Sequence, residues 1–189
     1  MRLSLILLLF FFNPFCAYAE TGTLQRIENY LNTLTTVVSD FTQVAPDGSL
    51  STGKFYLERP SKMRWEYDLP TPILMVANGG TMIYFDRELA QTSYIPVDDT
   101  PAGILLRDKI HFNDNIDVKQ LTKEAGIIRL TITQAAQSEN GELTLEFSEK
   151  HLALLNLVVT DANKQKTRIN FSNASMGQPI DSNKFKIRQ

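Results

Sequence analysis

The sequence predicts a mainly β domain (α+β), in which one antiparallel sheet curls into a sandwich or barrel and helices cover its ends. Strand-like segments follow one another at nearly even spacing, with turn-forming residues in the intervals between them. One longer amphipathic segment precedes these strands, and one short helix-like segment interrupts them. No repeat, linker or low-complexity run divides the chain, so we expect a single domain.

The first 19 residues predict a secretory signal peptide. Arg2 supplies a positive start, an apolar run follows it, and Ala17-Tyr18-Ala19 is a small-x-small cleavage site. The run is too short for a stable membrane anchor. Cleavage after Ala19 would leave residues 20–189 as the folded domain. A lipoprotein signal ending at Cys16 is the alternative, but Phe15 occupies the preceding position, where a small residue is needed.

Composition excludes some classes of partner and of stabilising bond. Cys16 is the only cysteine, so removal of the signal peptide would leave a chain without disulfides or thiolate ligands, whose stability must come from its core. The formal net charge of -2 gives no electrostatic reason to expect nucleic acid or an anionic membrane as a partner.

The amphipathic segment predicts a helix over residues 24–38. Its apolar residues recur at three- and four-residue spacings, which places them on one side of a helix: Leu24, Ile27, Leu31, Leu34 and Val38. After it, Pro46-Asp47-Gly48 predicts a turn.

The strands follow this turn. Composition and alternation predict them at residues 50–58, 62–67, 73–78, 81–86, 91–97, 127–134, 142–149, 154–161 and 166–173. Pro60 lies between the first two of these segments and suggests an edge or a strand start. Gly79-Gly80 predicts a two-residue hairpin, which would pair position 78 with 81 and position 75 with 84.

The short helix-like segment, residues 100–107, has Thr100 as a candidate N-cap and Pro101 at the first helical position. A helix of barely two turns is marginal by itself. It therefore needs an apolar surface beneath Ile104, Leu105 and Leu106, and a cover of this kind can move.

Catalytic motifs are not recognisable in the sequence. The two histidines, His111 and His151, are forty residues apart, and neither has a second metal-type ligand at a diagnostic spacing. No nucleophile elbow, phosphate-binding loop or zincin helix is present. We therefore expect a protein that is not an enzyme and has no cofactor or metal. A hydrolase of envelope lipids remains an alternative, with His111 or His151 as its base.

The apolar residues of the strands suggest a container for hydrophobic cargo. Both faces of the predicted hairpin at residues 73–86 are apolar, which is more sheet than one long helix can cover. Flexible methionines at positions 63, 75 and 82 would suit an adaptable cavity wall closed by the short helix. A well-packed sandwich, acting as an envelope sensor or interaction domain, would produce much of the same pattern.

Several motifs occur in an order that resembles the periplasmic outer-membrane lipoprotein carrier family, LolA. They lie between residues 41 and 106: Phe41-Thr42-Gln43, Gly53, Arg59-Pro60, Trp65, Tyr67, Pro70, Gly79, Tyr84-Phe85-Asp86, Gln91 and Thr100-Pro101. No single motif is specific, but the ordered set is, and the predicted signal peptide agrees with it independently.

The resemblance implies a curved, incomplete antiparallel β-barrel of about eleven strands, closed by the N-terminal helix and the short lid helix. It implies an apolar cavity for acyl chains, to which we assign Met63, Trp65, Met75, Met82, Tyr84, Ile104 and Leu105. Arg59 matches the family arginine that hydrogen-bonds the closed lid.

The resemblance also implies a set of partners and a location. The expected partners are acylated lipoproteins, an inner-membrane ABC lipoprotein-release complex and, where one exists, an outer-membrane acceptor receptor. We expect a periplasmic monomer that contacts membrane surfaces only transiently and binds no nucleic acid.

Overall fold

The computed structural model describes residues 15–113 and 115–187. One helix, α1 (Phe15–Thr33), precedes a series of strands. The strands are β1 (Thr36–Val44), β2 (Leu50–Glu58), β3 (Lys62–Tyr67), β4 (Ile73–Asn78), β5 (Thr81–Asp86), β6 (Gln91–Pro96), β7 (Ile116–Glu124), β8 (Ile127–Gln134), β9 (Gly141–Ser148), β10 (Leu154–Asp161) and β11 (Lys166–Met176). Short 3₁₀ helices occupy Val97–Asp99, Pro101–Leu106, Ala135–Asn140 and Ser182–Phe185.

All eleven strands form one antiparallel sheet in the order β6-β5-β4-β3-β2-β1-β11-β10-β9-β8-β7. The sheet is open, with β6 and β7 at its two edges, which confirms the predicted incomplete barrel with helices. The helix at Pro101–Leu106, hereafter the lid helix, lies on the connection between these two edge strands and contacts β8, β9 and β10. The chain thus spans the gap in the sheet with the segment that covers its interior.

The hairpin at Gly79-Gly80 has the predicted register. Met75 pairs with Tyr84 and Ala77 with Met82, so these residues share one face of the sheet. In the next pairing, Trp65 lies opposite Met75. The local turn chemistry was therefore sufficient to predict the pairing of β4 with β5.

The predicted helix over residues 24–38 was wrong at its C-terminal end. Helix α1 ends at Thr33, and β1 begins at Thr36, so Val38 belongs to a strand. Thr35, Thr36, Val37 and Val38 are all β-branched, and such residues lose side-chain freedom in a helix but fit a pleated sheet. Leu34 and Val38 have helical spacing by coincidence, and this concealed the start of β1.

Pro60 lies in the turn just before β3 begins, and β3 is an interior strand between β2 and β4. Of the two expectations for this proline, the sheet edge was therefore wrong, whereas the strand start fits. Thr100 precedes the lid helix as predicted, but its hydroxyl donates to the carbonyl of Val97 and caps nothing.

The core lies on the inner, concave side of the sheet, where α1 and the lid helix pack. A second and smaller apolar cluster lies on the outer face, where Phe185 covers Tyr56, Leu74 and Val76. The segment that follows β11 thus crosses the outside of β3 and β4.

The predicted signal peptide can be compared with the structure only in part. Its residues 1–14 lie outside the described residues, and cleavage after Ala19 stays a prediction. None of the helices in the described part of the chain is long and apolar enough to cross a membrane.

Candidate functional site

The burial of the lid helix depends on strands that are distant in sequence, namely β8, β9 and β10. Ile104, Leu105 and Leu106 are at most 6 % exposed and belong to the main core cluster. The helix has only six residues and is too short to be stable by itself. Its position therefore depends on the apolar surface that it covers, as the sequence predicted.

Close approach of the backbone fixes how the lid helix meets the preceding turn. A Cβ atom on Gly103 would lie 2.3 Å from the carbonyl oxygen of Val97. Only glycine allows this contact. A larger residue at this position would push the lid helix away from the Val97–Asp99 turn.

Aromatic side chains form much of the inner wall of the sheet over four neighbouring strands. The ring centroids of Phe55 and Trp65 are 4.3 Å apart, those of Phe41 and Trp65 are 5.1 Å apart, and those of Phe55 and Phe171 are 5.3 Å apart. These side chains come from β1, β2, β3 and β11, which are consecutive in the sheet. The interior therefore presents a continuous aromatic surface, which no single segment of the sequence contains.

One polar pair lies at the end of this surface. The Tyr67 hydroxyl donates to Oε1 of Gln43 over 2.7 Å, and burial raises the pKa of Tyr67 to about 12. The hydroxyl therefore stays a neutral, satisfied donor at neutral pH and adds no charge to the apolar interior.

A cavity of about 40 Å³ is present between α1, the lid helix and the strands β1, β2, β10 and β11. Its lining is almost entirely apolar: Tyr30, Leu34, Val37, Ser39, Phe55, Leu57, Leu105, Leu154, Leu157, Phe171, Ala174 and Met176. This volume accommodates only a few water-sized groups. A longer apolar molecule could enter only if the lid helix or its neighbours moved.

Arg59 holds the segment after the lid helix against α1. Its Nε donates to the carbonyl of Arg107 over 2.9 Å, and its Nη2 donates to that of Asp108 over 3.1 Å. Its Nη1 donates to the carbonyl of Leu31 near the end of α1. Burial lowers the pKa of Arg59, yet a guanidinium stays charged at neutral pH. One half-buried cation thus joins three segments through their backbone carbonyls.

Two side chains of α1 bind the same segment a few residues later. Asn32 donates to the carbonyl of Ile110 over 2.8 Å and accepts from its amide over 2.9 Å, as a neighbouring strand would. Glu28 accepts from the amide of Phe112 over 2.8 Å, and its other oxygen lies 3.3 Å from Nδ1 of His111. We call Asn32 and Glu28 the α1 clamp.

Gln134 secures the other end of the lid helix. Its Nε2 donates to the carbonyls of Asp98 and Thr100 over 2.7 and 3.0 Å. Its Oε1 accepts from the side chain of Arg107 over 3.1 Å. Gln134 is the last residue of β8, so a strand next to the β7 edge also holds the segment that precedes the lid helix.

The residues assigned from sequence lie on one side of the sheet, but few of them meet the cavity. Five are buried in the main core cluster: Met63, Trp65, Met82, Ile104 and Leu105. Met75 is half-buried and packs against that cluster. Tyr84 is half-buried opposite Met75, and burial raises its pKa. Of the whole set, Leu105 alone belongs to the cavity lining.

Sequence reasoning missed the cavity residues of α1, β1, β10 and β11, as well as the α1 clamp and Gln134. Val37 was concealed because the start of β1 was taken for helix, and Ser39 follows directly after that predicted helix. Leu154, Leu157 and Phe171 lie in predicted strands. Nothing local indicates that β11 pairs with β1 and so brings β10 and β11 next to β1 in the sheet.

The histidines contribute to no recognisable catalytic group. His111 is exposed beside Glu28, which already accepts a backbone amide, and His151 is exposed in the turn after β9. Among residues 15–113 and 115–187, no cluster of histidine, cysteine and carboxylate side chains could hold a metal ion.

Comparison with known families gives one match that spans most of the chain. The family described as "Outer membrane lipoprotein carrier protein LolA" matches residues 32–188. An outer-membrane lipoprotein carrier protein of Methylococcus capsulatus is 30 % identical over 182 residues, covering 92 % of this chain and 86 % of its relative. A protein of the same name from Azotobacter vinelandii is 29 % identical over 201 residues, covering 100 % of this chain and 95 % of its relative.

Solved structures share the fold at low identity. A putative outer membrane lipoprotein-sorting protein domain from Vibrio parahaemolyticus superposes with a TM-score of 0.51 at 10 % identity, covering 87 % of this chain and 94 % of that one. A DUF1329 family protein from Desulfovibrio piger gives a TM-score of 0.55 at 12 % identity, covering 89 % and 96 %. At such identity the likeness concerns the fold alone.

Proposed function

We infer the function of this chain from one premise: it belongs to the LolA family of outer membrane lipoprotein carrier proteins. We propose that it is a periplasmic, non-enzymatic chaperone that binds the acyl chains of lipoproteins. It receives them from an inner-membrane ABC lipoprotein-release complex and carries them, as a monomer, to the outer membrane or to an acceptor receptor there.

The observation that carries this proposal is an apolar interior covered by a helix of six residues, which is too short to be stable without the surface beneath it. Moving one methylene group from water to an apolar medium gains roughly 0.8 kcal/mol, so a sixteen-carbon chain gains about 12 kcal/mol. Such a chain leaves a bilayer too slowly without an apolar acceptor. The aromatic wall and the lid residues supply one that excludes water.

A covered cavity also explains how the carrier would release its cargo. Because cargo must displace Ile104, Leu105 and Leu106, part of the free energy of acyl burial is spent on opening the lid. Net affinity is lower than the buried apolar area alone would give. The proposed sites are therefore the inner wall, with Met63, Trp65, Met75, Met82 and Tyr84 as well as the cavity lining, and the lid residues.

In this proposal Arg59 is the latch of the closed state. Its partners are backbone carbonyls that separate from each other when the lid helix and α1 move apart. Loss of the latch lowers the cost of opening by about 1–3 kcal/mol. Cargo then binds more tightly and leaves more slowly, by roughly fivefold to a hundredfold.

The test is to compare Arg59→Leu with the wild-type chain for uptake of an acylated lipoprotein from spheroplasts and for transfer to outer membranes. We expect the variant to load normally and to transfer slowly. Arg64→Leu is the matched control, because Arg64 is also an arginine that donates to a backbone carbonyl, but its partners are Glu66 and the Lys184 carbonyl on the outer face. Unchanged transfer by Arg59→Leu would remove the latch role, and failure of the wild-type chain to load would remove the carrier function.

A further inference from the structure

Three leucines on adjacent turns are the most exposed large apolar side chains among the described residues. Leu50 is 69 % exposed, Leu69 is 83 % exposed and Leu89 is 70 % exposed. Scattered exposed leucines are ordinary on protein surfaces. These three are unusual because they follow or occupy the three turns that join β1 to β2, β3 to β4 and β5 to β6.

Hydrogen bonds between the turns show that they form one continuous edge. The Asp68 amide donates to the carbonyl of Thr52 over 2.9 Å, and the hydroxyls of Ser51 and Thr71 are 3.0 Å apart. The Arg87 amide donates to the carbonyl of Pro72 over 2.9 Å. We call residues 45–50, 68–72 and 86–90 the turn edge.

The turns are ordered by their own carboxylates. Asp47 accepts from the Ser49 amide, and Asp86 accepts from the amides of Glu88 and Leu89, each over 2.9 to 3.0 Å. These bonds form local turns that fix the direction of the chain at two of the tips, and at the third the Thr71 amide donates to the Asp68 carbonyl over 3.0 Å. The leucines therefore project from a structured edge.

The apolar area at this edge indicates what kind of partner it contacts. Three leucine side chains expose on the order of a few hundred Å², well below the roughly 800 Å² per partner of a standard protein interface. They are also separated by polar backbone and do not form a flat patch. Isolated apolar tips suit a fluid phase that closes around each side chain, as the interior of a bilayer does.

The charged residues of the turn edge indicate which kind of lipid bilayer it contacts. The turn edge has four carboxylates, Asp47, Asp68, Asp86 and Glu88, against a single cation, Arg87. An anionic lipid surface would repel this edge. A bilayer whose headgroups carry no net charge would not repel the turn edge in this way.

We propose that the turn edge contacts a lipid bilayer of low net charge through Leu50, Leu69 and Leu89. The inference rests on the proposed function, since a carrier of acylated proteins must reach membranes. The lid helix packs against the opposite ends of these strands, where the Ser61 amide bonds the Leu106 carbonyl. At about 3.3 Å per residue, the nine residues of β2 separate the two ends by roughly 25–30 Å. The contact therefore leaves the lid helix and Arg59 unobstructed.

The experiment measures flotation of the signal-free chain, residues 20–189, with phosphatidylcholine vesicles. We expect the triple variant Leu50→Ser, Leu69→Ser and Leu89→Ser to reduce the bound fraction roughly tenfold or more, because three apolar anchors are lost. Tyr94→Ser is the matched control, since Tyr94 is 68 % exposed on β6, away from the turn edge, and it should change binding less than about twofold. An unchanged melting temperature shows that the triple variant is folded.

Vesicles that contain phosphatidylglycerol supply the second arm. The wild-type chain should bind them more weakly than pure phosphatidylcholine, and added salt should reduce the difference. The proposal is overturned if the wild-type chain does not float with neutral vesicles, if the triple variant floats equally well, or if anionic vesicles bind better. Capture of the edge by a protein component of extracted membranes, with no binding to pure lipid, also overturns it.

The carrier function is measured separately in the same variants. Uptake of an environment-sensitive apolar dye should be equal in the triple variant and the wild-type chain, because the turn edge does not line the cavity. Normal dye uptake without vesicle binding therefore contradicts the membrane contact alone, whereas vesicle binding without dye uptake contradicts the carrier function alone.

Discussion

Arg59 shows how one residue can connect segments that share no sequence motif. Its donors meet carbonyls of α1 and of the segment after the lid helix. Backbone carbonyls are present whatever the side chains are, so these partners leave no trace in the sequence. The arginine itself was identified by family resemblance, and only the fold identified its partners.

Glu146 on β9 is the centre of a polar network on the outer face of the sheet. Its side chain is 6 % exposed and lies 2.7 Å from Nη1 of Arg168, 3.2 Å from Nε of Arg129 and 2.9 Å from Nδ2 of Asn156. Chiefly through its hydrogen bonds with Arg168, the pKa of Glu146 is lowered to about 2. The carboxylate therefore stays charged wherever the protein is folded under ordinary conditions.

This network predicts a pH-dependent contribution to stability. A depressed carboxyl pKa stabilises the fold above the unfolded-state value, about 4.3, and this contribution is lost as pH falls towards 2. Glu146→Gln should lower the free energy of unfolding by about 1–2 kcal/mol at pH 7, since the arginines are partly exposed and screened. Urea unfolding at pH 7 and pH 3 measures the difference, which should shrink at the lower pH.

Glu142→Gln is the control for this prediction. Glu142 lies four positions before Glu146, on the same face of β9, and its substitution should have little effect at either pH. A difference between wild-type and Glu146→Gln that is the same at both pH values would contradict the role assigned to its charge.

At the scale of elements, the lid helix is held from both sides by side chains that bond backbone groups. Gln134 secures its start, and Arg59 with the α1 clamp secures the segment after it. The sequence predicted that the lid helix needs a surface beneath it. It could not predict these bonds, because the donors lie on β8, α1 and the β2–β3 turn.

The α1 clamp predicts that Asn32→Ala loosens the lid helix. The substitution leaves both the amide and the carbonyl of Ile110 without their partner, and removes a weaker contact with Arg59. The cost of about 1–3 kcal/mol should accelerate hydrogen exchange at the Ile110 amide by roughly tenfold or more. Apolar dye should also enter faster.

Asn29→Ala is the matched control, because Asn29 lies on the exposed side of α1 and bonds only Gln25 of the same helix among the described contacts. Its substitution should leave exchange at Ile110 unchanged. Equal exchange in the Asn32 and Asn29 variants would mean that the clamp does not restrain the lid helix.

Two strands, β1 and β7, were not predicted from the sequence, and the physical reason differs between them. β1 was concealed by the coincidental helical spacing of Leu34 and Val38, which its tertiary partners β2 and β11 overrode. β7 is an edge strand, much of it exposed, and Lys119 and Lys123 interrupt its apolar pattern. Charged, exposed edges avoid unwanted pairing, but they also weaken the signal by which a strand is predicted.

At the scale of the whole molecule, the sheet buries both faces against different segments. The inner face packs on α1 and the lid helix, whereas the outer face of β2 to β4 packs on Phe185. This arrangement explains why both faces of the hairpin at residues 73–86 are apolar. The sequence interpretation offered only α1 and the lid helix as covers for this hairpin and did not identify Phe185.

The division between faces predicts that two core truncations have similar effects on stability but different effects on the binding of apolar dye. Leu105→Ala and Phe185→Ala should each lower the free energy of unfolding by about 2–5 kcal/mol, measurable by urea unfolding. Apolar dye binding per folded molecule should rise in Leu105→Ala, because Leu105 lines the cavity. It should stay unchanged in Phe185→Ala, which acts on the outer face. A rise in both variants would mean that the two clusters are not separate.

The sequence by itself determined the class of fold, the Gly79-Gly80 hairpin with its register, the place of the lid helix and, through resemblance, the family. These features depend on turn chemistry, alternation and ordered motifs, all of which are local. Only the tertiary structure decided which walls meet at the cavity, how Arg59, Asn32 and Gln134 hold the lid helix, and which apolar face Phe185 covers. These depend on contacts between distant parts of the chain, such as the pairing of β1 with β11, which joins residues more than a hundred positions apart and which no local pattern encodes.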